Sequence, residues 1–146
     1  MTMTKIDSFK GKYSFLSNFA TAVFRYEGVQ YSSVEVAFQA AKTHDIELRR
    51  RIAQYTPREA KKFGRKIQLR ADWSEVRVPI MKELLRLKFN SDLFGHRQAL
   101  LDTADAYLEE GNTHHDTFWG TCNGVGENQL GKLLMEIREE IRQNTK

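Results

Sequence analysis

The stretch SSVEVAFQAAK, Ser32 to Lys42, constrains the fold more than any other part of the chain. Wound at 3.6 residues per turn, it places Val34, Ala37, Phe38 and Ala41 on one helix face, while Val36 and Ala40 cover most of the remainder. A helix apolar on nearly every side belongs in a protein interior. The one gap is a stripe of Glu35, Gln39 and Lys42 at i, i+4 and i+7. Buried charges are costly unless paired or used, so a carboxylate, an amide and an ammonium on this helix are functional candidates.

The rest of the chain reads as mainly α (α+β), with a small N-terminal β-hairpin. Its 146 residues contain no repeat, low-complexity tract or linker, so a single domain over residues 1–146 is the simplest parse. AVFRYEGVQY predicts the hairpin, turning at Glu27-Gly28. TPRE predicts a helix start, with Thr56 as N-cap, Pro57 at N1 and Glu59 completing a capping box. In DWSE, Asp72 and Glu75 stand in the same relation, and Pro79 is expected to kink or restart that helix. Ile80, Leu84 and Leu87 then carry an apolar stripe toward Phe89. DLFGHRQALLDT predicts a shorter helix, and AYLEEG either a helix end or a strand. In ENQLGKLLMEIREEIRQN, Leu130, Leu133, Leu134, Ile137 and Ile141 keep helical spacing and predict the last helix.

Composition excludes some classes of function. Hydrophobic content of 40% and charged content of 29% suit a globular protein. No apolar run approaches the roughly 18 residues of a membrane span. The stretch MTMTKIDSFKGKY lacks the apolar core of a signal peptide, and the single Cys122 fits a reducing compartment. A cytoplasmic protein with no membrane partner is therefore expected. The net charge of +4 is concentrated between Arg49 and Arg70, where nine basic residues face one acid, Glu59. Such a segment fits a phosphate-bearing partner, nucleotide or nucleic acid, or else a solvated helix face.

The second informative stretch is HHDTFWGTCNGVGENQLGK. Gly120, Gly124, Gly126 and Gly131 surround the start of the last helix, whose N–H groups favour an anion. The spacing does not match a dinucleotide-binding fingerprint, and a plain glycine-rich turn is the competing reading. His114, His115, Asp116 and Cys122 lack metal-ligand spacing, so no metal site is expected. Nothing nearby in sequence pairs Cys122 with a base.

Five segments in fixed order carry a resemblance. They are FLSNF, YSSVEVAFQAAK, ADWSEVRVPIMKELLRLKF, LLDTADAYLEE and FWGTCNGVGENQLGKLLMEIR. Together the chain resembles the YbiA/NADAR family of N-glycosidases, named for an association with NAD and ADP-ribose metabolism. The resemblance covers almost the whole chain and is least diagnostic around Arg49 to Lys62. It implies a compact, mainly α fold and hydrolysis of N-glycosidic bonds without metal or cofactor. Substrates across the family include ribosylamino-pyrimidine phosphates of riboflavin biosynthesis and ADP-ribose attached to guanine in nucleic acid.

That chemistry needs a carboxylate to stabilise positive charge on the sugar, and a proton for the departing nitrogen. Glu35 is the first candidate and Asp116, beside FWG, the second. Lys42 could bind phosphate or hold Glu35 ionised; alternatively, it could attack a ring-opened glycosylamine to form a Schiff base. Trp73 and Trp119 could stack on a base, one of the two being expected in the core. Asn18 and Asn128 offer amides to ribose or base, and Arg77 and Lys88 offer cations to phosphate. Gln39 is placed with the substrate-binding set or as a holder of its neighbours, and Gly120 and Gly126 as points of close backbone approach. Phe15 and Phe19 are expected in the core. The expected partner is a phosphoribosyl or ADP-ribosyl adduct, with ADP-ribosylated nucleic acid a compatible form. Oligomeric state is not legible. Two other readings stand beside this one: a non-catalytic ADP-ribose/NAD-binding module, and a basic nucleic-acid-binding helical domain.

Overall fold

The computed structural model describes residues 4–91 and 93–145. In chain order its elements are β1 (Lys5–Ile6), a 3-10 turn (Gly11–Leu16), β2 (Phe24–Tyr26), β3 (Val29–Tyr31), α1 (Val34–Ala40), α2 (Ile46–Ile52) and α3 (Pro57–Gly64). They continue with α4 (Trp73–Ser91), α5 (His96–Leu101), β4 (Tyr107–Leu108), β5 (Gly111–Asn112), β6 (Thr121–Cys122) and α6 (Gln129–Asn144). The fold is mainly helical α+β. Its contacts divide it into two compact units, one spanning Asn18–Phe94 and the other joining the chain up to Ser17 to the chain from Gly95.

In the first unit, local chemistry sets most boundaries. Glu27 and Gly28 both adopt positive φ, 49° and 85°, as a two-residue hairpin turn requires, and β2 pairs with β3 in antiparallel register. Ser33 caps α1 by accepting from Val36 N at 3.1 Å. The expected capping box of Thr56 and Glu59 opens α3. On α1, every residue except Glu35 is buried, and the helix packs against α2, α3 and α4.

Two expectations on α4 change. The helix runs unbroken through Pro79. One missing hydrogen bond on its exposed side is outweighed by the buried face of Ile80, Met81, Leu84, Leu85 and Phe89. The Asp72 carboxylate, expected as a cap, instead receives two hydrogen bonds from Arg70, at 2.7 and 3.2 Å. The Arg70 amide in turn donates to the Lys42 carbonyl at 2.8 Å and fixes the turn after α1. Phe19 is 42% exposed and Phe15 half-buried, so the core place expected for this pair does not hold for Phe19.

In the second unit, AYLEEG resolves into strand. β4 pairs in parallel with β1, and β5 with β6. Leu130, Leu133, Leu134, Ile137 and Ile141 are all buried along α6, as their spacing predicts. Among the described residues no helix is long and apolar enough to cross a membrane.

Lys88 lies on the buried face of α4 with 0% exposure, and burial pulls its ammonium down to about 7. The unfolded chain holds that proton up to about 10.5, so between about 7 and 10.5 the unfolded state binds more protons and this group's contribution to stability rises with pH. Below about 7 both states hold the proton, and the folded protein carries the largest cost of burying it. Comparing Lys88→Met with wild type by denaturant unfolding should therefore show the largest stabilisation by methionine at neutral pH and below, shrinking toward pH 10. A difference independent of pH would contradict this.

Candidate active site

Two of the three stripe residues lie on α1, and the third lies just beyond it. Helical backbone continues through Ala41, and Lys42 sits in the following turn, where its amide donates to Gln39 O at 3.2 Å. The Gln39 side chain is 5% exposed, and its Nε2 donates to Glu35 Oε2 at 2.6 Å. This i, i+4 bond holds the half-buried carboxylate in one orientation. Burial lowers the half-buried Lys42 ammonium below its ordinary value. The Glu35 carboxylate opposes that shift, and the Arg65 and Lys61 cations add to it. A lysine so placed holds more neutral amine near neutral pH than a solvated one.

The far side of the stripe is α3. A Cβ on Gly64 would overlap Gln39 Oε1 and lie 2.7 Å from its Cδ, so the Gln39 amide has its rotamer only because residue 64 is glycine. One turn away, Lys61 Nζ lies 5.8 Å from the centroid of the exposed Phe19 ring. The Asn18 carbonyl accepts from the Glu35 amide at 3.0 Å and anchors the first turn of α1. Its side-chain Nδ2 approaches Met81 Sδ at 3.6 Å, while Oδ1 is buried with no donor among the described residues. Asn18, Glu35, Gln39 and Lys42 thus share one neighbourhood with Phe19, expected in the core, with Lys61 and Arg65 of the basic segment, and with Gly64, for which the sequence carried no expectation. A charge run does not reveal which of its members turn inward. The capping box that sets the phase of α3 was the one available signal.

Other expected binders in this unit have structural surroundings. Trp73 is 9% exposed and packs on Phe38 with ring centroids 4.9 Å apart, so it is the core tryptophan of the two. Arg77 is half-buried on α4. Lys88, being fully buried, has no surface from which to meet a phosphate.

In the second unit, the glycine-rich loop satisfies itself. The amides of Glu127, Asn128, Gln129 and Leu130 donate to the carbonyls of Thr117, Gly120, Phe118 and Trp119. The start of α6 is therefore occupied by its own loop, which corrects the expected anion cradle. A Cβ on Gly126 would overlap Gly120 O, and one on Gly120 would overlap Glu110, so both glycines serve chain packing. Asn128 is buried, with Oδ1 accepting from Glu110 N at 2.9 Å and Nδ2 donating to Leu108 O at 2.9 Å and Tyr107 Oη at 3.2 Å. Its amide is fully used, and its role is structural. Asp116 Oδ1 accepts from Phe118 N at 3.1 Å and Trp119 N at 2.9 Å, ordering the turn that carries the half-buried Trp119. Both bonds fall on one oxygen. Cys122 Sγ lies 3.9 Å from His115 Nδ1, a proximity not visible in the sequence spacing.

Gly64→Ala should displace the Gln39 amide and break its bond to Glu35. Removing one charge-assisted bond of this kind costs about 1.5–3 kcal/mol. The variant should remain folded by circular dichroism while kcat falls about tenfold or more. Full activity in a folded Gly64→Ala protein would show that the Gln39–Glu35 bond is dispensable.

The chain's relatives carry the same framework. The model of the NADAR domain matches residues 7–142, across both units. N-glycosidase YbiA of Shigella flexneri serotype 5b is 37% identical over 96% of this chain and 89% of that protein. An N-glycosidase of Nostoc punctiforme is 40% identical, over 89% of this chain and 86% of its own length. The NMR structure of the Escherichia coli protein YbiA matches with a TM-score of 0.84 at 35% identity, covering 99% of this chain and 89% of that one. The chain belongs to the NADAR domain family.

Proposed function

We propose that the chain is an N-glycosidase that hydrolyses the bond between a (phospho)ribosyl or ADP-ribosyl group and a nucleobase-type amine, with Glu35 and Lys42 as its reacting groups. The observation that carries this reading is the half-buried Lys42 amine, lowered in pKa, electrostatically coupled to a Glu35 carboxylate that Gln39 holds in place. The activity named for the Shigella and Nostoc relatives agrees with it. A binding module or a nucleic-acid-binding domain would need no Glu35.

The chemistry follows from the two groups. An N-linked sugar on an exocyclic amine opens to an imine at C1′. The neutral Lys42 amine adds to C1′, and the original nitrogen, once protonated, leaves with its bonding electron pair as the free amine. The resulting Lys42 iminium takes up water and releases the sugar as its aldehyde, regenerating the lysine. Glu35 carries the protons, giving one to the departing nitrogen and taking one from the attacking water. Asp116 is proposed as a second carboxylate acting through its charge, beyond the turn it orders. The proposed substrates are a ribosylamino-pyrimidine phosphate or ADP-ribosylated guanine in nucleic acid, met in the cytoplasm, with no metal or cofactor supplied.

Purified protein incubated with each substrate should release free amine and reducing sugar from at least one. Glu35→Gln should lower kcat by about a hundredfold or more, the usual weight of a general acid–base. Asp116→Asn keeps an acceptor for the two backbone amides, so a fall in its kcat with unchanged thermal stability reads the charge alone. A folded sample that yields no product from either substrate would overturn the reading.

A further inference from the structure

The basic segment is divided by the fold into two kinds of cation. Arg49 pairs with Glu27 at 2.9 Å and donates to Thr43 O, Arg50 pairs with Glu47, Arg51 donates to Tyr55 Oη, and Arg70 pairs with Asp72. Those four stabilise the chain. Lys61 and Arg65 are different: among the described residues no carboxylate pairs with either. Lys61 lies on α3 and Arg65 caps its C-terminus, one turn apart on either side of Gly64, where a Cβ would overlap the Gln39 amide. Both lie close enough to Lys42 to be felt by its ammonium. Lys61 also projects over Phe19, an aromatic left 42% exposed.

Lys61 and Arg65 both act against the charge of Lys42, a repulsion that a purely stabilising role would not require. The arrangement makes sense if a multiply charged anion completes it. An amine that attacks C1′ of a ribosyl group will have that group's phosphate close by. The guanidinium of Arg65 can bind a phosphate through two parallel hydrogen bonds, and Lys61 adds a compact charge.

We propose that Lys61 and Arg65 form the phosphate subsite of this active site and set its preference for substrates whose ribose carries a 5′-phosphate group, with Phe19 as the apolar wall beside it. The inference rests on the reading that Glu35 and Lys42 perform the reaction, and it adds the residues that select the substrate. A nucleic-acid backbone is the less favoured partner for these two. Lys62 lies across α3 from Gly64, is exposed, and is better placed for such a contact.

The test has a binding arm and a kinetic arm. Ribose 5-phosphate, ADP-ribose and ribose are titrated calorimetrically into wild type, Lys61→Ala, Arg65→Ala, Lys61→Arg and Lys62→Ala. Each alanine variant at 61 or 65 should weaken a phosphorylated ligand by about tenfold or more. Lys61→Arg should restore most of that loss, and Lys62→Ala should match wild type. Loss confined to ribose 5-phosphate identifies a terminal phosphate as the ligand, and loss confined to ADP-ribose identifies a diphosphate; either outcome supports the subsite. In the kinetic arm, the preference in kcat/KM for the phosphorylated over the dephosphorylated substrate should fall about tenfold in the alanine variants. Unchanged binding of both phosphorylated ligands overturns the proposal, as does an effect seen only with an oligonucleotide substrate. Binding that depends on Lys61 and Arg65 in a protein that turns over no substrate would leave the subsite standing and remove the hydrolysis reading instead.

Discussion

The Gln39 amide, 2.6 Å from Glu35 Oε2, is the contact on which the account of this protein turns. A half-buried carboxylate on a helix packed on three sides is tolerable only if a neighbour shares its charge. Gln39 does so one helical turn away, and it can do so only because Gly64 leaves room for its side chain. The approach of α3 to α1 therefore sets the rotamer of an amide, and the amide sets the orientation of a carboxylate. The third member of the stripe is fixed through its backbone: Asp72 holds Arg70, and the Arg70 amide holds the Lys42 carbonyl. Packing and chemistry are joined at single atoms here.

Much of this was legible in the sequence where the rules are local. The Glu27-Gly28 turn, the Thr56 capping box and the apolar face of α6 each depend on residues within one or two turns of each other. The polar stripe on α1 was legible for the same reason, since helical spacing alone separates Glu35 and Gln39 from their apolar neighbours. What failed depended on partners distant in sequence. Pro79 sits within a continuous helix because the buried face of α4 outweighs one missing bond. The glycines near Trp119 suggested a ligand cradle, but the loop's own carbonyls take the amides that a ligand would need. Asn128 looked like a recognition amide and is instead consumed by Glu110, Leu108 and Tyr107. Loop polarity alone does not separate these cases. The hydrogen-bond partners do.

The basic segment illustrates the same limit from the other side. Read as a run of charge, it is uniform. Folded, it separates into arginines that pair with Glu27, Glu47 and Asp72, and cations on and just after α3 that pair with no carboxylate among the described residues. Of the latter, Lys61 and Arg65 flank Gly64, which the phase of α3 sets against Gln39. That phase is set by the capping box at Thr56, some distance from any reacting atom. A helix start chosen by local hydrogen bonding thus sets which face of α3 meets α1.

The central claim is that Lys42 is the amine that attacks the sugar, with Glu35 moving its protons. Borohydride added during turnover reduces an iminium to a stable secondary amine, and peptide mass spectrometry then locates it. The account predicts a sugar-derived mass on Lys42 in the wild-type protein and none at that position in Lys42→Arg. Adduct at a different lysine, or turnover by the wild-type protein that leaves Lys42 unmodified, would contradict it.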